Sequence, residues 1–243
     1  MFKHKIKLII VGALLAIGVA GPGSRSEASL LLNTPTGLAD GAQFRFVFVT
    51  PGTRNATSTS IGDYNSFVNT QAGGATYGGT VVNWYAIAST SAVTAKNNIT
   101  GLQTTPIYLA NGTKVANDLS TNSGGLWGVT VATPLQSPIN YMLTGQVGTG
   151  RNIWTGSNLN GTGLSGFELG SGFSFSAEGL TSGSDSQWIQ QTIGSSATAL
   201  SLYGISEVLT VQTSAVPEPS TYALFCISLG VVGFARRKMG KQG

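Results

Sequence analysis

The sequence has few charged residues and almost none of the residue types that catalyse reactions or bind metals. Only 9% of its 243 residues are charged, and it contains one histidine and one cysteine. His4 and Cys226 lie near the two ends, in segments that we expect to be removed. Without them, a Ser-His-Asp triad, a Cys-His pair, a zinc site of the usual ligand types and a disulfide framework are excluded. We therefore predict a protein that is not an enzyme and has no cofactor or metal.

The positive net charge belongs to the ends of the chain. Of 13 Lys and Arg residues, four precede residue 30 and four follow residue 235. The stretch 29–215 holds five basic and seven acidic residues, so its net charge is −2 although the whole chain carries +4. This distribution excludes nucleic-acid binding inferred from bulk charge.

The N-terminus has the layout of a secretory signal. Three lysines in the first seven residues precede 13 consecutive small and aliphatic residues, 8–20. A cationic start and an apolar run too short to span a bilayer are typical of a signal peptide. We predict export by the Sec machinery and cleavage by signal peptidase after Ala28, with Gly18 to Ala20 as a second site. The alternative is a buried N-terminal helix, which usually alternates apolar and polar faces.

Three features follow one another at the C-terminus. The sequence VPEPS (216–220) precedes a small, apolar segment (221–235) and a basic end (236–241). Prolines favour an extended stem, and the apolar segment is expected to enter the membrane as a helix. The basic cluster would hold its end in the cytoplasm. About 15 apolar residues are short for a full span, which suits a transient intermediate. The basic cluster consists of Arg236, Arg237 and Lys238.

This C-terminal arrangement resembles the PEP-CTERM sorting signal of bacteria with an outer membrane. The motif matches at Pro217, Glu218 and Pro219, and the short apolar segment and basic cluster follow in the expected order. The resemblance implies that an exosortase cuts the tail near the motif and that the body is released or attached at the cell surface. Such proteins often occur in strains that make exopolysaccharide. It thus implies a location in the envelope, at the outer surface or in the extracellular matrix. The alternative is an ordinary tail anchor.

The middle of the chain, 29–215, has the size of one domain with its own core. An aromatic and β-branched run at 44–50 predicts a strand, and apolar residues recurring on one face predict a helix at 61–72 with Ser60 as its N-cap. One early strand, two early helices and later short strands between Gly- and Asn-rich loops indicate an α+β fold. The further predicted elements are a helix at 91–98 and strands at 82–88, 107–109, 153–155, 173–175 and 200–211.

The order of these elements and the residues in them resemble the C-type-lectin-like fold, in its endostatin-like branch. The resemblance covers most of the middle of the chain and implies a single domain with long loops. Its segments are FRFVFVT (44–50), IGDYNSFV (61–68), NWYAIASTS (83–91), PIYLANGTKV (106–115), a Leu-Trp pair (126–127), NIWTGSNLNG (152–161), Trp188 and LYGISEVLTV (202–211).

The departures from that family limit what the resemblance implies. Calcium-dependent sugar-binding members carry a Glu-Pro-Asn or Gln-Pro-Asp loop followed by Trp-Asn-Asp, and neither sequence occurs here. Endostatin-like members use histidines for zinc and an arginine-rich face for heparin, which the middle of this chain lacks. Calcium, zinc and heparin binding are therefore not transferred.

Three functions are open from the sequence. The first is a non-enzymatic protein of the cell surface or extracellular matrix with a lectin-like binding or structural domain. The second is metal-independent carbohydrate binding, with exopolysaccharide or other surface glycans as ligands of Trp154, Asn158 and Asn160. The third is a glycosidase whose carboxylate pair is Glu168 with Glu178, or Asp185 with either. We expect the four tryptophans (Trp84, Trp127, Trp154 and Trp188) to be core residues; an exposed one would support sugar stacking.

Overall fold

The computed structural model describes residues 30–130 and 132–213. No helix within these two ranges is long and apolar enough to cross a membrane. Four predicted features lie outside the described residues: the signal peptide with its cleavage site at Ala28, the sorting motif at 217–219, the apolar segment at 221–235 and the basic end at 236–241.

The described chain contains eleven strands, two α-helices and one 3-10 helix. In chain order they are β1 (Gln43–Val49), α1 (Ile61–Gln71), β2 (Thr76–Tyr77), β3 (Thr80–Val81), β4 (Trp84–Ala86), α2 (Ala95–Asn98), β5 (Ile107–Leu109), β6 (Lys114–Ala116), β7 (Asn152–Trp154), β8 (Phe175–Leu180), the 3-10 helix (Ser186–Trp188), β9 (Thr192–Ser195), β10 (Ser201–Ser206) and β11 (Leu209–Thr210). Sheet predominates and two helices are present, which confirms the predicted α+β class.

A mixed nine-stranded sheet organises the molecule. Its order is β6-β5-β1-β10-β7-β8-β9, while β11 pairs with β1 and β4 pairs with β10. Strand β1 is antiparallel to β10, with Val47 opposite Ile205, and parallel to β5, with Phe46 opposite Tyr108. Strand β10 is buried along its whole length. Strands covered on both faces form apolar runs without clear alternation, which explains why β1 was predictable from sequence.

Each face of the sheet carries its own apolar cluster. Alternate residues of β1 point to opposite faces, so its three phenylalanines pack on the α1 side and its two valines on the other side. The first cluster also contains Tyr64 and Trp154. The second contains Trp127, Trp188 and Tyr203, whose rings contact one another at centroid distances of 6.0 and 5.8 Å.

Helix α1 is joined to β4 by asparagine side chains. Asn69 accepts a hydrogen bond from Trp84 N at 3.0 Å and donates one to Trp84 O at 2.6 Å. Asn65 accepts one from Ala86 N at 2.8 Å. The two amides thus occupy the edge of β4 that faces away from β10, where another strand would otherwise pair.

The structure changes the predicted boundaries of several elements. The helix predicted at 61–72 ends one residue earlier, and the Ser60 side chain makes no capping hydrogen bond. Instead, the Ser58 hydroxyl donates to the Asp63 carboxylate at 2.6 Å. Of the helix predicted at 91–98, only Ala95–Asn98 is helical. The strand predicted at 173–175 instead begins at Phe175 and continues to Leu180. The segment predicted at 200–211 forms two strands, β10 and β11.

Candidate functional site

The hairpin formed by β8 and β9 exposes large apolar side chains. Phe173 is 64% exposed, Phe175 is 50% exposed and Ile193 is 45% exposed. The phenylalanines of β1, by contrast, are fully or almost fully buried. Apolar side chains that lie together on a surface are typical of a binding site. We take this region as the candidate functional site.

Strand pairing explains why the two phenylalanines face solvent. In the sequence Phe173-Ser174-Phe175-Ser176 the aromatic and hydroxyl residues alternate. Ser176 points inward, is fully buried and lies 2.9 Å from the Ser196 hydroxyl, and the two groups share a hydrogen bond. Because side chains alternate across a strand, an inward Ser176 places Phe175 on the outer face.

The cross-strand register brings Phe175 and Ile193 to one face of the hairpin. Phe175 lies opposite Ser195, and Ala177 lies opposite Ile193. Phe175 and Ile193 are therefore diagonal neighbours, a separation that aromatic side chains can bridge. The Phe173 ring continues the same apolar surface toward the loop that contains Gly166, where an added Cβ would lie 3.8 Å from the ring.

A shallow cavity of about 280 Å³ includes Ile193, one of the three exposed apolar residues, in its lining. Its lining combines two apolar side chains with amide and hydroxyl groups, and none of the lining residues is charged. No Asp, Glu, Lys, Arg or His occurs between residues 186 and 206. The lining residues are Leu164, Gln190, Gln191, Thr192 and Ile193.

This combination of groups suits a neutral, polyhydroxylated ligand. Phenylalanine rings offer apolar faces on which the C–H face of a sugar ring can lie. The amides of Gln190 and Gln191 can both donate and accept hydrogen bonds, as sugar hydroxyls do. A site with a few placed polar groups beside an apolar surface is the usual form of a small-ligand site. We name the surface formed by Phe173, Phe175, Ile193 and the lining of the cavity the β8–β9 face.

Trp154, the aromatic residue singled out from the sequence, is a core residue. It has no solvent exposure. Its indole N–H points at two backbone carbonyl oxygens, Arg54 O at 3.1 Å and Thr198 O at 3.2 Å. Its ring is therefore inaccessible to a ligand in this structure, which corrects its assignment as a candidate ligand contact.

Asn158 and Asn160 form a turn that is closed on itself. Asn158 Nδ2 donates to Thr162 Oγ1 at 2.7 Å. Asn160 Oδ1 accepts from Thr162 N at 3.1 Å and from Thr162 Oγ1 at 2.8 Å. These amides hold the loop shape, and they do not form a joint site with the buried face of Trp154. Ligand contact by Asn158 and Asn160 stays a prediction, without Trp154 as its third residue.

The other tryptophans are also buried. Trp84, Trp127 and Trp188 are between 0% and 3% exposed. Their indole nitrogens, together with Tyr203 Oη, have no hydrogen-bond partner among the described residues. Burial of all four tryptophans agrees with their expected role in the core, and leaves the sugar-stacking alternative without an exposed tryptophan.

The three carboxylates considered for a glycosidase, Glu168, Glu178 and Asp185, each contact other parts of the fold. Glu178 is 5% exposed, and its Oε2 accepts a hydrogen bond from Asn152 Nδ2 at 2.6 Å. Burial raises the pKa of Glu178, and the hydrogen bond from Asn152 opposes that shift. Asp185 Oδ1 accepts from Gln187 N at 3.0 Å and caps the 3-10 helix. The Glu168 side chain lies over Gly163.

No group of three or more His, Cys, Asp or Glu residues within 30–130 and 132–213 has the arrangement of a metal site. Sequence reasoning missed the β8–β9 face because it predicted only a short strand at 173–175, which does not say which face of the sheet each side chain occupies. Its one sequence signal is the long uncharged stretch around β9.

Comparison with known proteins adds information about the C-terminal segment. Residues 215–238 match the family model of the PEP-CTERM protein-sorting motif. The match confirms the sorting signal predicted around Pro217, Glu218 and Pro219, and it includes Arg236, Arg237 and Lys238. It indicates a secreted or envelope-sorted protein that is processed by an exosortase. No curated protein matches the chain.

Proposed function

We propose that this chain is a non-enzymatic protein of the outer cell surface or extracellular matrix that binds neutral polysaccharide without a metal. In this proposal, signal peptidase removes residues 1–28 after Sec export, and exosortase removes the tail that begins at residue 216. The body, 29–215, is a single C-type-lectin-like domain of the endostatin-like branch. The exposed, uncharged β8–β9 face is the observation that carries the binding function.

Three features support a binding protein. The sorting signal indicates a secreted or envelope-sorted protein, and the resemblance to PEP-CTERM proteins implies a strain that makes exopolysaccharide. The β8–β9 face offers aromatic rings and amides instead of ionisable groups, so it suits a neutral ligand rather than an acidic one. Asp185 caps the 3-10 helix and Glu178 accepts a hydrogen bond from Asn152, so both carboxylates have structural roles in this fold.

In this proposal, a lectin-like fold holds the β8–β9 face in place. The order of one long strand, two early helices, short strands and long loops agrees with the resemblance seen in the sequence. The cross-strand contacts of β8 with β7 and β9 fix Phe175 on a rigid element, which lowers the entropic cost of binding compared with a mobile loop.

The binding proposal is tested by titrating the processed protein with neutral and acidic polysaccharides. We expect saturable binding to a neutral polymer, unaffected by a chelator, and at least a tenfold weaker affinity for Phe175→Ala. Val81→Ala is the matched control because Val81 is 59% exposed on β3, away from the hairpin. Equal binding by Phe175→Ala and the wild type would refute this site. Release of sugar from any tested polymer would refute the non-enzymatic role.

The processing proposal is tested separately by mass spectrometry of the surface and secreted fractions. We expect a mature N-terminus at Ser29 and a C-terminus close to Pro217. A surface-fraction protein that keeps an intact peptide containing Cys226 would refute cleavage of the tail.

A further inference from the structure

The edges of the main sheet differ in how they are protected against pairing with another chain. Strand β6 carries Lys114, and its Val115 carbonyl oxygen accepts a hydrogen bond from Gln136 N at 2.9 Å. The outer edge of β4 is occupied by the Asn65 and Asn69 side chains. Charges, covering loops and side-chain hydrogen bonds of this kind are the usual devices that prevent edge-to-edge association.

Strand β9 has none of these devices. It is the last strand of the sheet, and Thr192, Ile193 and Ser195 are exposed. It contains no lysine or proline, and no charged residue lies within residues 186–206. No other described strand pairs with its outer edge. An uncharged, uncovered edge strand is a template for another strand.

The hydrogen-bond pattern shows which backbone groups β9 presents at that edge. Ser196 N donates to Ser174 O at 2.8 Å, so this pair is hydrogen-bonded across the hairpin. Hydrogen-bonded and non-hydrogen-bonded pairs alternate in antiparallel strands. Ile193 therefore directs its N–H and C=O away from β8, and Ser195 directs its N–H the same way. The Ser195 carbonyl oxygen already accepts from Thr198 N at 2.8 Å.

We propose that β9 pairs antiparallel with β9 of a second copy of this chain, about a two-fold axis at Ile193. A second copy is the occupant because the edge is self-complementary: its outward N–H and C=O groups at Ile193 match each other across the axis. Strand β9 has no charged residue of its own, so the two-fold axis opposes no like charges along the strand, as it would at Lys114 of β6. The Glu178 carboxylate of β8 lies beside Gly194 and is buried, at 5% exposure.

The symmetry has a consequence for the β8–β9 face. Antiparallel pairing places the two-fold axis perpendicular to the sheet, so the exposed rings of both copies lie on the same side. Two faces would then form one longer surface for a polymer. The pairing does not depend on the proposed function. The advantage of a longer surface for binding a polymer does rest on the proposed function. A four-residue strand gives a small interface, so we expect a weak dimer that forms at the high local concentration of a cell surface.

Sedimentation of the processed protein over a range of concentrations tests the pairing. We expect concentration-dependent dimers for the wild type and at least tenfold weaker association for Ile193→Lys and for Ile193→Glu. An equimolar mixture of these two variants should regain dimers, because opposite charges then meet at the axis. Val81→Lys adds the same charge elsewhere and should associate like the wild type. A wild type that stays monomeric, or an Ile193→Lys protein that dimerises normally, would overturn the proposal.

Cysteine cross-linking tests the register. In a protein with Cys226→Ser and Ile193→Cys, the two introduced thiols should form a disulfide-linked dimer, because paired Cα atoms lie about 5.5 Å apart. Val81→Cys in the same background is the control and should remain monomeric. Association without a cross-link at residue 193, or equal cross-linking at residue 81, would overturn the two-fold axis at Ile193.

The two proposals fail in different ways. A wild-type protein that binds polysaccharide as a monomer removes the pairing and leaves the proposed function. A dimer that is sensitive to Ile193→Lys but binds no polysaccharide removes the proposed function and leaves the pairing.

Discussion

Arg45 lies in the central strand β1 and has no solvent exposure. Its guanidinium donates to the backbone oxygens of Ser206, Thr100 and Leu102, at 2.7, 2.5 and 3.3 Å. Desolvation lowers the pKa of Arg45, and the nearby Tyr85 and Glu207 oppose that shift. The side chain therefore joins the loop after α2 to β10 from inside the protein.

We expect Arg45→Met to destabilise the protein by about 3 kcal/mol, because three carbonyl oxygens lose a buried donor. Urea unfolding followed by tryptophan fluorescence measures the change. Arg54→Met is the control: Arg54 is partly exposed and lies over the Tyr64 ring at 4.2 Å, so its loss should cost about 1 kcal/mol or less. Equal effects of the two substitutions would contradict the structural role of Arg45.

Because Glu178 is buried, we expect the free energy of unfolding to depend on pH. Burial raises the pKa of this carboxyl in the folded state, so its stabilising contribution is present at low pH and is lost as pH rises through the folded-state pKa. Glu178→Gln cannot ionise and should gain stability relative to the wild type as pH rises above the ordinary pKa of a glutamate. Thermal unfolding at several pH values measures the difference.

Asn152→Ala is the matched variant for this prediction. It removes the hydrogen bond that opposes the pKa rise, so the loss of stability should extend to a higher pH and be larger than in the wild type. A stability difference between Glu178→Gln and the wild type that does not change with pH would contradict the burial of an ionisable Glu178.

At the residue scale, the sequence shows how large a side chain is, but it does not show whether that side chain is buried or exposed. Trp154 was the expected ligand contact because a large ring stands beside a polar loop, yet it is buried in the first cluster. Phe173 and Phe175 lie in a segment that was predicted only as a strand, without an orientation for either ring. The hydrogen bond between the Ser176 and Ser196 hydroxyls, 20 residues apart, holds Ser176 inward and so places Phe175 on the outer face.

At the scale of elements, the attachment of α1 to β4 depends on side-chain amides. Asn69 bonds both backbone groups of Trp84, and α1 also approaches β10 closely. The approach is possible because Gly204 has no side chain: a Cβ there would overlap Phe48 and Val68. The packing of helix on sheet therefore requires both an amide and a glycine.

We expect Asn69→Ala to cost about 2 kcal/mol, because Trp84 N and O lose their partners at a half-buried site. Asn69→Asp keeps the acceptor for Trp84 N but places a carboxylate oxygen against Trp84 O, so it should cost at least as much as Asn69→Ala. Thr70→Ala, on the exposed side of α1, is the control and should change stability by about 0.5 kcal/mol or less. Chemical denaturation measures all three, and an Asn69→Ala protein as stable as Thr70→Ala would contradict this attachment.

The predictability of each element follows from its surroundings. Strand β1 and helix α1 were predicted because long apolar or periodic patterns survive in the sequence. Strands β6 and β9 were missed because they are short, and β9 contains Gly194 and little apolar sequence. Their extended conformation depends on pairing with β5 and β8, which local sequence does not encode.

At the scale of the whole molecule, the two ends of the described chain meet near the hairpin of β2 and β3. Leu30 and Leu32 exchange backbone hydrogen bonds with Thr76, and Gln212 lies beside Gly78. Strand β11, just before the tail, pairs with β1. Four strand spacings separate β1 from β9, about 19 Å across the sheet. A body held by its C-terminal side thus carries the β8–β9 face at the far edge.

The proposed function links the sorting signal to the candidate site. We propose that the terminal charges act in crossing membranes and that the neutral far edge faces the surroundings of the cell. The proposed function therefore depends on where a polysaccharide contacts the body.

Chemical-shift mapping of the processed protein during titration with a neutral polysaccharide tests that location most directly. We predict saturable shifts of the Ile193 methyl and of the Phe173 and Phe175 ring signals, with no shift of the Trp154 indole N–H. Shifts confined to Trp154 and the Asn158 to Asn160 turn, or no saturable shift with any neutral polymer, would contradict the account.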